Sequence, residues 1–534
     1  MRIVGLRVGR AAATGAMFAA ALAIVGSLRA AVQEPVRIEA GLISGAAAAA
    51  PGVRVFKGIP FAAAPIGRLR WRAPQPAAKW TGVRRADTFG NVCVQPKGVG
   101  RLNVSVDLPD SPAASEDCLY LNVWTAASSA SERRPVMVWI FGGAYSEGAG
   151  SSPHNDGAAL ARQGAVVVTF NYRLGPFGFF SHPELTKESG HSASGNQALM
   201  DTIAALKWVQ INIAAFGGDP RNVTIFGESA GAAMAAGLVG SPQAAGLFRR
   251  AISESGAWMG LSVAPMRTRQ QAEQPTGRRG APPPPLMPLD ELRAKSADEI
   301  SRTLFGAGMI VDGWIIPEDQ SLTFAQRRQQ PVDVLVGSNK DEGTFAGNTT
   351  AAAWTNRVRQ RLGDLADDYL KLYPAASDEE ATRSSQTAFR DELAWHMRLY
   401  ASLQAKRGNR AFWYFFTHEP PHAPDARNLK ATHASEIPYV FNNLRSPRVF
   451  PDASSPELAS ASAPDRALAE RVSTYWLNFA RTGDPNGTGL PRWPAFDAAA
   501  AAPMILGEID EAPDRQRLAI YDKLYAKIVG GLKE

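Results

Sequence analysis

The sequence predicts an α/β fold in which a central, mostly parallel sheet carries helices on both faces. Short apolar runs typical of buried strands alternate along the chain with segments of helical spacing, and one such run passes through a tight turn into an alanine-rich stretch. The 534 residues are 45% hydrophobic and 20% charged, close to the average for globular proteins. This composition argues against a disordered or multi-spanning membrane protein.

The first thirty residues predict a secretory signal peptide. Arginines precede an apolar stretch from Ala11 to Leu28, and small residues follow at Ala30 and Ala31. An uncleaved membrane anchor is the alternative, but alanine, glycine and serine make this stretch marginal for spanning a bilayer. We therefore expect export to the periplasm or the extracellular space, with no stable membrane insertion after signal removal. Residues 31–534 are expected to form a single domain.

The charge pattern argues against a nucleic-acid partner. The formal net charge is +7, but four arginines lie within the first thirty residues, which contain no acidic residue. The remaining basic residues form no run interleaved with aromatic residues, so the electrostatic footprint of a nucleic-acid-binding surface is absent.

Six apolar runs predict the strands of the sheet, and a longer periodic segment, Asn196–Ala215, predicts a helix. A proline- and glycine-rich segment from Gln274 to Pro288 predicts a surface loop, not a domain linker, because candidate catalytic residues lie on both sides of it. In chain order, the predicted strands are Val53–Phe56, Pro135–Phe141, Gly164–Phe170, Asn222–Phe226, Val332–Val336 and Phe412–Phe416.

The strongest chemical signal is a G-x-S-x-G motif, Gly227-Glu228-Ser229-Ala230-Gly231, between the fourth strand and a helical stretch. In this setting the motif predicts a nucleophile elbow, in which small flanking residues permit a strained turn that projects the serine hydroxyl above the sheet edge. Ser229 is therefore the candidate nucleophile, and the fold predicted with it is the α/β-hydrolase fold.

A serine nucleophile needs a histidine base and a carboxylate, which in this fold follow the serine in the order acid, then histidine. Four histidines qualify by position. One, His396, lies in a polar helical run, while His418 and His422 lie in a proline-broken loop that is equally typical of solvated turn histidines. The fourth, His433, has only a modest lead, and the residue pattern does not decide which of the adjacent acids Asp341 and Glu342 serves.

Cys93 and Cys118 are the only cysteines, and an even pair in an exported protein favours a disulfide. Closing a loop between positions 25 apart would contribute about 3 kcal/mol of stability. The sequence contains no metal-ligand cluster, phosphate loop or dinucleotide motif, so it predicts neither a metal nor a cofactor.

Several ordered motifs resemble those of the type-B carboxylesterases, the branch of the α/β-hydrolases that includes the cholinesterases, from about Val36 to Tyr525. The resemblance implies an ester hydrolase with this fold and a small-molecule ester as its substrate. It makes no prediction of oligomeric state. The motifs are FKGIPFA (56–62), SEDCLYLNVW (115–124), VWIFGGAYSEG (138–148), NYRLGPFGF (171–179), FGGDPRNVTIFGESAGA (216–232), GSNKDEG (337–343) and WLNFARTGDPN (476–486).

The resemblance also assigns site residues by position in these motifs. It implies Ser229 as nucleophile, Glu342 as acid and His433 as base, and it implies the Cys93–Cys118 disulfide. The implied oxyanion-hole donors are the backbone N–H groups of Gly143, Ala144 and Ala230, and the implied supporting residues are Gly142, Glu228, Ser255 and Glu436.

This chain departs from its relatives at a few positions. Phe141 stands where many relatives carry histidine or tyrosine, and Ala144 replaces the third glycine of the oxyanion motif. Because the donors are backbone groups, we expect the extra methyl to be tolerated. The segment between Cys93 and Cys118 lacks the tryptophan with which cholinesterases bind choline, so a choline ester is not the expected substrate.

The sequence therefore predicts a serine carboxylesterase that acts through an acyl-enzyme. Two alternatives use the same scaffold. The first is a hydrolase whose natural bond is an amide, carbamate, lactone or polyester, and the second is a non-enzymatic binding protein. Because all three triad positions are intact, the binding-protein alternative is disfavoured.

Overall fold

The computed structural model describes residues 32–96, 98–99, 105–106, 112–274, 285–306, 308–422, 427–444, 461–499 and 502–533, with backbone alone at 98–99 and 105–106. The predicted signal peptide lies outside these residues, as does residues 275–284 of the predicted loop from Gln274 to Pro288.

Ten strands of the described chain form one central sheet. Seven neighbouring strands, β10-β9-β8-β7-β6-β4-β5, are parallel, and β3, β2 and β1 continue the sheet in antiparallel pairs. The predicted α/β fold with a mostly parallel sheet is confirmed. The strands are β1 (Ala46–Ala47), β2 (Arg54–Pro60), β3 (Tyr120–Thr125), β4 (Arg134–Ile140), β5 (Val166–Phe170), β6 (Gly218–Glu228), β7 (Arg250–Glu254), β8 (Asp333–Asn339), β9 (Ala411–Phe416) and β10 (Met504–Leu506).

The inner strands are apolar along most of their length because helices cover both faces of the parallel part of the sheet. All five residues of β5 are buried, as are six of the seven residues of β4. Side chains on both faces of these strands therefore contribute to the core. This burial explains why continuous apolar runs, without polar alternation, marked these strands in the sequence.

Six helices of eight or more residues lie in the described chain: α1 (Gln197–Asn212), α2 (Ala230–Val239), α3 (Ala351–Leu362), α4 (Asp378–Lys406), α5 (Ala463–Thr482) and α6 (Arg515–Gly531). No described helix combines the length and the apolar character needed to cross a membrane. The shorter α-helices are Ala158–Arg162, Gly175–Gly178, Pro183–Glu188, Arg269–Glu273, Leu289–Ala294, Ala297–Thr303, Gln320–Ala325, Ala366–Leu372 and Ile437–Val440.

The small strands outside the central sheet lie near the beginning of the described chain. Val36–Ile38, Gly41–Ser44 and Val83–Arg85 form one sheet, and Val92–Cys93 pairs with Ala114–Ser115. A further pair joins Gly98–Val99 to Ser105–Val106. The disulfide expected between Cys93 and Cys118 is present, with Cα atoms 4.9 Å apart. It closes the segment that contains the last of these strand pairs.

The predicted elements agree with the structure in position, with differences at their ends. The predicted helix 196–215 ends at Asn212 and continues as a 3-10 turn, Ile213–Phe216. The strand predictions omitted β1, β3, β7 and β10. Of these, β7 has the sequence RAISE, with a charged residue at each end. Charged ends are typical of exposed segments. Both of these ends are nevertheless buried, and Glu254 has no solvent exposure.

Candidate active site

The turn between β6 and α2 places Ser229 above the carboxyl end of the sheet. Ser229 has φ 55° and ψ −123°, a conformation that non-glycine residues rarely adopt. A Cβ atom at Gly231 would lie 2.0 Å from the carbonyl oxygen of Ile140, and one at Gly227 would lie 2.5 Å from the same oxygen. The two glycines of the motif are therefore required by the close approach of β4.

Ser229, His433 and Glu342 form one continuous line of hydrogen-bonding groups. The Nε2 atom of His433 lies 2.8 Å from Oγ of Ser229, and its Nδ1 atom lies 2.6 Å from Oε2 of Glu342. All three residues are buried, with Ser229 6% exposed. The geometry allows the imidazole to accept the serine proton while the carboxylate holds its other nitrogen.

The structure distinguishes the two adjacent acids that the residue pattern left open. Glu342 is fully buried, and its Oε1 accepts hydrogen bonds from the Ser255 hydroxyl and the Asn339 N–H. The Asp341 carboxylate instead accepts from the N–H of Ala431. Only Glu342 is oriented toward His433.

The remaining candidate histidines form no hydrogen bond with Ser229 in the described chain. His396 lies on α4 as expected, but it is buried against Trp258, and burial lowers its pKa to about 3. The interpretation of a solvated turn histidine is wrong for His418, which is buried with Asp465 at Nε2 and Glu508 at Nδ1, each 2.7 Å away. His422 is exposed.

The three predicted oxyanion-hole amides lie on two turns beside Ser229. Gly143 and Ala144 have φ values of 109° and 50°. Ala144 therefore keeps the left-handed conformation usual for glycine, at a cost of roughly 1 kcal/mol. Ala230 is the first residue of α2, where N–H groups lack intrahelical partners. Among the described residues, none of these three amides donates a hydrogen bond to another group.

The supporting residues predicted from the motifs surround this line. Ser255 donates to Glu342 over 2.5 Å, and the Asn339 side chain donates both to Glu436 and to the Thr432 carbonyl beside His433. A Cβ atom at Gly142 would lie 2.8 Å from Glu228 Oε2 and 3.0 Å from the Ser229 Cβ, so the close approach requires glycine.

Glu228 forms an additional charged contact with the imidazole. Its Oε1 lies 3.1 Å from His433 Nε2. Burial by itself would lower the pKa of His433, but the negative charges of Glu228, Glu342 and Glu436 outweigh it and raise this pKa to about 9. The site therefore favours the imidazolium, the form that His433 takes after it accepts a proton.

Two phenylalanines lie beside the imidazole. The ring of Phe345 stacks on His433 with centroids 5.5 Å apart, and Phe389 of α4 meets it edge-on at 6.3 Å. Phe345 follows the acid in sequence, so proximity to the motif could indicate it. Phe389 carries no motif signal, because it reaches the site only through the packing of α4 on the sheet.

A cavity of about 990 Å³ opens beside the oxyanion turn. Its lining includes Ala144, Tyr145, Phe179, Leu304 and Phe305. Other aromatic residues near the motifs belong to the core instead. Trp258 is fully buried and stacks on Phe324, and Phe177 packs in a small cluster with Trp71.

The described residues contain no group of three or more histidine, cysteine, aspartate or glutamate side chains arranged to hold a metal ion.

The fold and the arrangement around Ser229 define the class of the protein, the α/β-hydrolases. Residues 32–520 match the model of the carboxylesterase family. The chain is 39% identical over 457 residues to fumonisin B1 esterase of Sphingopyxis macrogoltabida, covering 83% of this chain and 82% of that one. It is 34% identical over 501 residues to para-nitrobenzyl esterase of Bacillus subtilis (strain 168), covering 87% and 94%.

Solved structures give the same result. The crystal structure of a Geobacillus stearothermophilus carboxylesterase matches with a TM-score of 0.73 and 34% identity, covering 91% of this chain and 99% of that chain. A structure of PNB esterase matches with the same TM-score and 31% identity, covering 92% and 99%. The chain belongs to the carboxylesterase family and is a carboxylic ester hydrolase.

Proposed function

We propose that this protein is an exported carboxylesterase that cleaves esters through an acyl-enzyme on Ser229. The observation that carries the proposal is the hydrogen-bonded line from Ser229 through His433 to Glu342, with three amides unpaired in the described chain beside the serine. This arrangement contains a nucleophile, a base oriented by a carboxylate and a set of donors for the developing charge.

The mechanism follows from these positions. The Ser229 oxygen attacks the ester carbonyl carbon while His433 Nε2 takes the hydroxyl proton. The imidazolium then gives that proton to the departing alcohol oxygen, which leaves the acyl group on Ser229. A water molecule repeats the sequence in the second half-reaction and releases the carboxylic acid. Throughout, Glu342 holds the other ring nitrogen.

The backbone amides stabilise the oxyanion in both half-reactions. Loss of one such donor in a comparable site costs roughly 3 to 4 kcal/mol of transition-state stabilisation. The N–H groups of Gly143, Ala144 and Ala230 fill this role, and the start of α2 contributes its positive dipole end. Because backbone groups supply the donors, side-chain substitutions at these positions act mainly by changing the turn.

The size of the cavity and the names of two relatives indicate which substrates to test. A volume of about 990 Å³ next to Ala144 accommodates a bulky acyl or alcohol group. Two relatives are named for a fumonisin and for para-nitrobenzyl esters. We therefore propose neutral alkyl and aryl esters, including bulky ones, as the substrates to test first.

The test is hydrolysis of p-nitrophenyl esters of increasing acyl length and of a p-nitrobenzyl ester, with Ser229→Ala as the matched variant. We expect a burst of p-nitrophenol equal to the enzyme concentration, followed by turnover. In Ser229→Ala the burst disappears and kcat falls by roughly 10⁴-fold or more. Wild-type activity retained by Ser229→Ala would refute the assignment of the nucleophile.

A negative panel also has a defined meaning. If no ester is cleaved, covalent labelling of Ser229 by an organophosphate separates a specialised hydrolase from a binding protein. Labelling of the wild type, but not of Ser229→Ala, supports the hydrolase because only an activated serine reacts.

Export is the second component of the proposal. It is supported by the residue pattern of the first thirty residues and by the Cys93–Cys118 disulfide, a bond typical of oxidising compartments. Expression of the full chain in a secreting bacterial host should yield a mature protein whose first residue, identified by N-terminal sequencing, lies near Ala31. A retained Met1 in the exported fraction would contradict cleavage.

A further inference from the structure

A row of side chains crosses the carboxyl end of the sheet behind the triad. In the register of the parallel strands, Glu228 of β6 is opposite Glu254 of β7, Glu254 is opposite Gly337 of β8, and Gly337 is opposite Tyr414 of β9. A Cβ atom at Gly337 would lie 2.3 Å from the Tyr414 ring. The absence of a side chain at Gly337 therefore lets the tyrosine ring lie across β8 toward Glu254.

Glu254 has one hydrogen-bonded oxygen and one without a partner. The indole N–H of Trp476, on α5, donates to Oε1 over 2.8 Å. The Oε2 atom is buried and has no partner within the described chain, and the same is true of Glu436 Oε1 and the Tyr414 hydroxyl. Buried polar atoms are nearly always hydrogen-bonded, and buried water is a common partner, so these three atoms are candidates for hydrogen bonds to buried water.

The local charge is too negative for four ionised carboxylates. Glu228, Glu254, Glu342 and Glu436 are each at most 3% exposed, and His433 is the only basic side chain paired with any of them among the described residues. One imidazolium cannot compensate four buried negative charges, so protons must remain in the cluster.

Glu254 has the strongest geometric claim to a proton. Burial raises the pKa of Glu228, and burial with the charge of Glu342 raises that of Glu436 to about 7, but Glu228 and Glu342 contact the imidazole, and the Asn339 amide and the charge of His433 stabilise the Glu436 anion. Glu254 meets only the neutral indole donor. Burial, the charge of Glu436 and the charge of Glu228 raise the pKa of Glu254 well above its ordinary value. Burial and the same acids raise the pKa of Tyr414 as well, so the phenol remains neutral.

We propose that Glu254 is a positioning residue held as a neutral carboxylic acid, whose Oε2 proton is donated through a buried water molecule to the unpartnered Oε1 of Glu436. Glu436 in turn fixes the Asn339 side chain, which also bonds the Thr432 carbonyl next to His433. Glu254 thus steadies the histidine loop without adding negative charge beneath the imidazole. The catalytic part of this inference rests on the proposed function.

Stability measurements test the charge state independently of activity. Glu254→Gln replaces a neutral acid with a neutral amide of the same shape, and Glu470→Gln on the exposed face of α5 is the matched control. An acid that is neutral when folded and ionised when unfolded loses stability above its ordinary pKa of 4.5. The folding equilibrium constant of Glu254→Gln relative to wild type should therefore rise about tenfold per pH unit above that value.

Activity measurements test the positioning role. Glu254→Leu removes the one hydrogen bond that leads through water to Glu436, and a single hydrogen bond is worth at most about a factor of ten, so this variant should lower kcat about tenfold with little change in KM. Glu254→Gln should have a kcat close to that of wild type. The acid limb of its kcat/KM profile should lie at the same pH as in wild type. Infrared difference spectra should show a protonated carboxyl band in wild type that is absent in Glu254→Gln.

The opposing outcomes are equally defined. A pH-independent stability difference for Glu254→Gln, or an acid limb that moves to lower pH, would mean that Glu254 is an anion and would overturn the proposal. If Glu254→Leu does not fold, the Glu254→Gln measurements still decide the charge state. If wild type cleaves no ester, the stability series tests Glu254 alone, so failure of the proposed function remains distinguishable.

Discussion

Asp341 and Glu342 are adjacent in sequence but occupy different environments. Glu342 is fully buried between Ser255 and His433, whereas Asp341 lies beside Ala431 and Lys340. The residue pattern could not separate them because the choice depends on the direction in which each side chain leaves the turn after β8. The family motif implied Glu342 as the acid, and the geometry supports this assignment because the Glu342 carboxylate contacts His433.

We predict that Glu342→Gln lowers kcat by about 10⁴-fold, because an amide at this position holds the wrong imidazole tautomer. Asp341→Asn should change kcat by less than about threefold, since the contacts of Asp341 with Ala431 and Lys340 do not involve His433. Steady-state kinetics on one aryl ester checks both variants. A larger loss for Asp341→Asn would reverse the assignment of the acid.

The pH profile provides a second prediction at the residue scale. His433 must be neutral to accept the serine proton, and its pKa is raised to about 9, above the ordinary 6.5. The acid limb of kcat/KM should therefore lie above pH 6.5. Glu228→Gln should move it to lower pH, because Glu228 is the largest of the charges that raise this pKa. An acid limb that stays in place would show that Glu228 does not influence the base.

At the scale of elements, continuous apolar strands and the strand-turn-helix around Ser229 could be predicted, whereas β7 could not. Periodicity detects burial by apolar residues, but β7 buries Arg250 and Glu254 at its ends. The hydrogen-bond partners of these two charged residues are distant from them in sequence. For the same reason, the sequence indicated Ser255 and gave no signal for its neighbour Glu254.

The disulfide supports a stability prediction for the segment that it closes. Replacing Cys93 and Cys118 by serine frees a loop of 25 positions in the unfolded chain and should lower the free energy of unfolding by about 3 kcal/mol. Urea denaturation of the double variant checks this value, with wild type plus reductant as the comparison. Because the triad is formed by other elements, kcat should remain within about twofold under native conditions. An unchanged denaturation midpoint would contradict the prediction.

At the scale of the whole molecule, the site lies where the carboxyl ends of several parallel strands meet, the usual location of ligands in open α/β sheets. The α/β class was predictable, as was the contact of Ser229, Glu342 and His433 in one hydrogen-bonded line. The position of Phe389 beside His433 was not predictable, because it depends on how α4 packs against the sheet. The cavity beside Ala144 also combines segments that are distant in sequence.

The histidine also links global stability to pH. Its folded pKa of about 9 lies above its ordinary value of 6.5, so the folded state binds the proton more tightly than the unfolded state between these values. This contribution is fully present below pH 6.5 and is lost as the pH rises to 9. Thermal unfolding of wild type should therefore show a lower Tm at pH 9 than at pH 6.5, and His433→Gln should reduce that difference. An equal decrease in both proteins would contradict the role of His433.

The single-domain prediction can be tested with a chain that begins at residue 31. We expect one cooperative transition by calorimetry, because the central sheet joins strands from Ala46 to Leu506. Coincidence of the loss of esterase activity with the loss of ellipticity would support one folding unit. Two separated transitions would indicate two.

The distribution of the triad along the chain has a consequence for folding. His433 is 204 positions from Ser229 and 91 positions from Glu342, so the line between them forms only after two long chain closures. Such non-local contacts are assembled slowly, because the entropy of closure is lost before the contacts form. Catalytic activity should consequently be among the last properties to return during refolding. An organophosphate that labels Ser229 would then react with fully folded molecules and not with compact folding intermediates.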